Sequence, residues 1–240
     1  MPAAKTPEPE SFRVAVSPSD YVTAIMYRAA SHGSGAPVLI LAHGAGADQS
    51  SGFMVHVATA LAARGVDTVT FNFLYTEQGR RVPDKNDKLE SCWRAVIAAV
   101  RSRTQAEEEA GRKLVIGGKS MGGRIASQIA ASQVATAGED GIAGLVFLGY
   151  PLHPPGRPDK LRSEHLGRIR APMLFVQGSR DAFGTPDELR PHMKLLKAPA
   201  DLVVIEGGDH SFKVPKKAAM SQAEVDAFVL DEVERWLKRQ

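Results

Sequence analysis

The chain has 240 residues, 43% of them hydrophobic and 24% charged, with 30 Lys+Arg against 27 Asp+Glu. This is the make-up of a globular domain with a sizeable core. The formal charge of +3 is a shallow excess with no basic stripe interleaved with aromatics, which argues against nucleic acid as a partner. No apolar run has the length of a membrane span.

The first ten residues, Met1 to Glu10, carry Pro2, Pro7 and Pro9 and no apolar stretch. They read as a disordered tail, not a signal peptide, followed by one folded domain over 11–240. The lone cysteine, Cys92, allows no internal disulfide and fits a reducing compartment, so a cytoplasmic location is expected.

Phe12 to Val16 and Tyr21 to Tyr27 read as an antiparallel edge pair. Pro37 to Ala42 is a buried-type strand, followed by His43-Gly44-Ala45-Gly46-Ala47. A helix over Gly52 to Arg64 places Phe53, Val57, Ala60 and Leu61 on one face and stops at Gly65. The strand Val66 to Phe73 comes next. A helix over Asp87 to Arg103 sets Leu89, Cys92, Trp93, Val96, Ile97 and Val100 on one stripe, so Cys92 is expected to be a buried structural thiol.

Leu114 to Gly117 is a strand that runs into Gly118-Lys119-Ser120-Met121-Gly122 and a small-faced helix. Met173 to Val176 and Leu202 to Ile205 are two further short strands. The last helix opens with the capping box Ser221-Gln222-Ala223-Glu224. Strands alternating with helices predict an α/β architecture with a mostly parallel central sheet flanked by helices. The connection from Gly149 to Met173 is too short for a large cap domain, so the site should be open and shaped by loops such as Phe73 to Asp84 and Tyr150 to Leu166.

The chemistry gathers at the strand ends. In a strand–turn–helix elbow a serine stands above the sheet, and flanking glycines let the backbone fold back without a Cβ clash. Ser120 fits that pattern. A serine hydroxyl needs a base, and the base needs an orienting carboxylate. Downstream, one strand ends in Gln177-Gly178-Ser179-Arg180-Asp181 and the next in Glu206-Gly207-Gly208-Asp209-His210. Asp181 and His210 thus follow Ser120 in the order serine, acid, histidine. The N–H of Met121, and one from Ala45 or Gly46, are candidate donors to a developing oxyanion.

Four such features resemble a serine hydrolase of the α/β-hydrolase superfamily over roughly residues 11 to 240. The chain is similar to the small dienelactone-hydrolase-like branch. It resembles more closely a group of testis-expressed hydrolase-like proteins and their bacterial relatives. The stretches His43-Gly44-Ala45-Gly46, Phe71-Asn72-Phe73, Gly79-Arg80-Arg81, Gly118 to Arg124, Gly149 to Pro154 and Asp209 to Phe212 carry that likeness. True dienelactone hydrolases use a cysteine where Ser120 stands, so their substrate is not carried over. The resemblance implies the α/β-hydrolase fold without a large cap. It also implies a small-molecule acyl substrate (ester, thioester or small amide) and no cofactor.

Other readings are weaker. A phosphate loop would need glycine where Lys113 stands. No histidine or cysteine pair has zinc-ligand spacing, so no metal is expected. His153 and Tyr150, in the Tyr150-to-Pro154 segment, and Phe212, beside the base, are candidate pocket residues. His153 would serve equally as a surface-loop residue. His43 is assigned to support of the oxyanion loop, and His32, His56, His165 and His192 to structural or surface roles. Lys119 and Arg124 flank the serine and read as exposed or locally salt-bridged, with a pocket role as the alternative. Asp209 should point away from the base. Two alternatives stand beside the hydrolase: a non-catalytic interaction module on the same scaffold, and an acyltransferase.

Overall fold

The computed structural model describes residues 7–31, 36–106, 112–132 and 141–240. Met1 to Thr6 of the expected tail, and His32, lie outside the described residues. Pro7 to Pro9 carry neither helix nor strand. Glu10, assigned to the tail above, instead opens the first strand, pairing with Met26.

Eight strands form one sheet. They are β1 (Glu10–Ala15), β2 (Tyr21–Tyr27), β3 (Val38–Ala42), β4 (Thr68–Phe71), β5 (Leu114–Lys119), β6 (Ile142–Leu148), β7 (Met173–Gly178) and β8 (Ala200–Ile205). Their order across the sheet is β1-β2-β4-β3-β5-β6-β7-β8. β1 and β2 pair antiparallel, as do β2 and β4; every other pairing is parallel. The interior strands are apolar on both faces because helices cover both. In β3, Val38 and Ile40 enter one core, whereas Leu39 and Leu41 enter the other.

The helices are α1 (Gly52–Ala63), α2 (Leu74–Glu77), α3 (Asn86–Ala106), α4 (Met121–Ser132), α5 (Pro186–Met193) and α6 (Gln222–Leu237). The Leu39 face meets α1 and α6 through Met54, Leu61, Val229 and Trp236. The Ile40 face meets α3 and α4 through Trp93, Val96, Ile125 and Ile129. Cys92 belongs to this second core, and burial pushes its thiol up to about 11.

Two elements depart from the sequence reading. The strand expected over Val66 to Phe73 is shorter, because Asp67 turns inward to Ala29 N–H and Arg112 and Phe73 already caps α2. α2 itself, a single turn, sits in what reads as a loop.

The chain order leaves β3 by α1 toward β4 on one side and leaves β5 by α4 toward β6 on the other. The carboxyl ends of β3 and β5 therefore flank a topological switch point, where open α/β sheets form their crevice.

Candidate active site

Ser120 sits at that crevice with φ of 50°, left-handed and strained for a non-glycine residue. The flanking glycines are demanded by space. A Cβ on Gly118 would lie 2.2 Å from Ala42 O, and one on Gly122 would lie 2.3 Å from the same oxygen. The elbow thus packs directly on the end of β3, and Gly44 in turn abuts Ser120.

His210, on the loop after β8, accepts a hydrogen bond from Ser120 Oγ at Nε2, 2.8 Å away. Its Nδ1–H donates to Asp181 Oδ2 at 2.7 Å. Asp181 follows β7 and is 1% exposed. Its Oδ1 accepts from Phe183 N–H at 2.8 Å, and its Oδ2 also accepts from Gln177 Nε2 at 2.9 Å. The structure therefore brings Ser120, His210 and Asp181 into one hydrogen-bonded chain. An imidazole so fixed can take the proton of the hydroxyl it faces.

The loop carrying His210 is held from three sides. Lys119 Nζ donates to His210 O at 2.5 Å. Phe183 stacks on the imidazole with ring centroids 4.2 Å apart. Phe212, in a left-handed conformation, drives its ring into the core beside Phe53. Lys119 is neither exposed nor salt-bridged among the described residues, contrary to the sequence reading. Burial lowers its ammonium to about 8, against the opposing pull of the Asp181 and Asp209 charges. Asp209 turns away from His210 as expected, accepting at Oδ1 from the N–H groups of Ser211 and Lys213.

The loop after β3 supplies the other wall. His43 is fully buried; its Nδ1–H donates to Gly44 O at 2.8 Å, and its Nε2 accepts from Phe73 N–H. Burial lowers its pKa, which keeps it neutral and in that bonding pattern. The N–H groups of Ala45 and Met121 bond to no other group among the described residues, and both residues line the cavity over Ser120. Gly46 faces a neighbouring hollow instead, with Tyr75 and Arg80.

The cavity holds about 680 Å³ and is lined by Ser120, His210, Phe183, Arg124 and Arg162 among others. Arg124 is thus a wall of the cavity, the alternative the sequence left open for it, and makes no ion pair among the described residues. None of the three suggested pocket residues lines this cavity. Tyr150 is buried, and its hydroxyl donates to Arg162 O at 2.7 Å. His153 is buried with Nε2 3.4 Å from Glu188, at the start of α5. Phe212 borders an adjoining cavity of about 430 Å³ between α1 and α6. His56 is exposed, His192 reaches Ser163, and His165 bonds Ser127 at 2.6 Å. Sequence reasoning missed Gln177, Phe183 and Arg162. Only Gln177 had a signal, as a polar residue closing an apolar strand.

The fold and this site define an α/β hydrolase. A family model described as an alpha/beta hydrolase domain matches residues 35–238, and the chain belongs to that family. Among solved structures it is similar to a dienelactone hydrolase from Anabaena variabilis, with 21% identity, a TM-score of 0.71, and 98% of this chain and 99% of that one covered. It is also similar to an alpha-beta serine hydrolase homologue from Coxiella burnetii, with 19% identity, a TM-score of 0.66, and 96% of each chain covered. A third is a serine hydrolase without lid from Xanthomonas campestris, with 18% identity, a TM-score of 0.65, and 95% of each chain covered. At these identities the likeness is one of fold. No helix of the described residues is long and apolar enough to cross a membrane.

Proposed function

We propose that this protein is a serine hydrolase that cleaves an ester, thioester or small amide through an acyl-enzyme. The observation that carries the reading is the continuous chain Asp181–His210–Ser120, with bonds of 2.7 and 2.8 Å, facing an open cavity.

In this reading Ser120 Oγ attacks the acyl carbonyl as His210 Nε2 takes its proton. The N–H groups of Met121 and Ala45 receive the developing oxyanion; loss of one such donor typically costs about 3–4 kcal/mol of barrier. Asp181 holds the tautomer of His210 and stabilises the imidazolium. The tetrahedral adduct collapses, His210 gives its proton to the leaving alcohol, thiol or amine, and the acyl group stays on Ser120. Water then attacks the acyl-enzyme, His210 takes the proton from that water and returns it to Ser120 Oγ, and the free acid departs.

The test is labelling with a fluorophosphonate read by intact mass. One adduct on the wild type and none on Ser120→Ala supports the assignment. A well-folded wild type that takes no label overturns it and favours a non-catalytic scaffold.

A further inference from the structure

Several arginines among the described residues are ion-paired. Arg64, Arg80, Arg94 and Arg112 each pair with a carboxylate. Arg124 and Arg162 do not pair with one among the described residues, yet both are partly buried and both line the cavity over Ser120. Among the described residues the Arg124 guanidinium donates to the neutral Asn86 Oδ1 at 3.4 Å. The acidic groups nearby are engaged elsewhere: Glu90 with Arg94 at 3.3 Å, and Asp84, itself on the cavity wall, with Arg80 at 2.8 Å.

Two like charges brought together away from water are costly unless an anion joins them. The cost registers on Arg124, whose pKa is lowered by burial and then by the charge of Arg162. The placement of Arg162 is built in. Its N–H donates to Leu152 O at 2.8 Å, and its carbonyl accepts from the buried hydroxyl of Tyr150 at 2.7 Å. Arg124 is set by α4, one turn beyond Ser120, and its N–H donates to Ser120 O at 3.0 Å. Guanidinium groups bind carboxylates through paired, charge-assisted hydrogen bonds.

We propose that Arg124 and Arg162 form an anion subsite, and that the substrate cleaved at Ser120 carries a carboxylate a few bonds from its scissile carbonyl, as in the half-ester or half-thioester of a short dicarboxylic acid. This rests on the serine-hydrolase reading and adds the substrate class to it. Tyr150 is then a positioning residue that acts through the backbone of Arg162.

The experiment compares mono-p-nitrophenyl glutarate with the neutral isostere p-nitrophenyl valerate. The wild type should favour the anionic ester in kcat/KM. In Arg124→Met or Arg162→Met the anionic-to-neutral ratio should fall about tenfold to a hundredfold, the weight of charge-assisted hydrogen bonds, and Arg124→Lys should recover part of it. A wild type that prefers valerate, or variants that lower both rates equally, would overturn the proposal. Direct calorimetric binding of monomethyl glutarate to Ser120→Ala separates the two readings. Binding that disappears with Arg124→Met supports the subsite even where no ester turns over, and a protein that fails to bind the monoester has no such subsite even if Ser120 is labelled.

Discussion

Lys119 Nζ and the carbonyl oxygen of His210 are 2.5 Å apart, so the residue beside Ser120 holds the backbone of the histidine that Ser120 bonds. The link joins β5 to the loop after β8 across the mouth of the sheet. Lys119→Met should lower kcat about tenfold, the weight of one charge-assisted hydrogen bond that keeps His210 in register.

The same lysine sets a pH dependence. Its folded pKa is about 8 against an ordinary 10.5. Between those values the unfolded chain holds the extra proton, so its contribution to stability rises with pH through that window. Chemical denaturation of wild type and Lys119→Met across the window should show the difference growing in favour of the wild type. A constant difference would refute this.

Gln177 is the hidden support of Asp181. The two protons of its Nε2 are shared among Asp181 Oδ2, Tyr150 O and Gly184 O, and its Oε1 accepts from Tyr150 N–H. Gln177→Leu keeps the size but strands buried partners, at about 1–3 kcal/mol for each group left unsatisfied. It should lower both the melting temperature and kcat. By comparison, Asp181→Asn should reduce turnover about 10⁴-fold while leaving the fold intact, because it favours the wrong histidine tautomer. Steady-state rates with thermal melts on both variants distinguish the two effects.

Acid should weaken the fold through His165. Its imidazole is lowered from 6.5 to about 4 by burial, then by Arg124 and Arg168. As pH falls through that interval the unfolded chain takes up a proton that the folded one refuses, so stability is lost. His165→Gln should flatten this part of the profile, measured by urea unfolding at pH about 7 and about 5.

The elbow tolerates no added carbon. Gly122→Ala would place a Cβ 2.3 Å from the backbone oxygen of Ala42, which cannot swing aside. A loss of about 3 kcal/mol or more is expected in equilibrium unfolding; near-wild-type stability would mean that the elbow packs differently.

Ser120, Asp181 and His210 were legible in the sequence because each follows a short apolar strand and a glycine-bearing turn, signals that are local. The parallel sheet was legible from the alternation of its elements. What escaped depends on chain paths far apart in sequence. Phe183 meets His210 only because the loops after β7 and β8 run side by side. Tyr150 read as a pocket residue, but its ring packs with Phe147 and Phe175, and it reaches the cavity only through the Arg162 backbone. α2 was invisible because a single turn has no period to detect.

Ser120 and His210 rest on strands of unequal security. β5, which ends in the serine elbow, is flanked by β3 and β6, whereas β8, which leads to His210, pairs with β7 alone and is partly exposed along most of its length. Sheet margins open more readily than sheet centres. Fraying of β8 would therefore disconnect the imidazole while the elbow stays folded. On warming, catalytic competence should fade before the cooperative melt, and amide protons of Leu202–Ile205 should exchange sooner than those of Leu114–Gly117. In such a protein, heat inactivation would report the fastening of one border strand, not the collapse of the core.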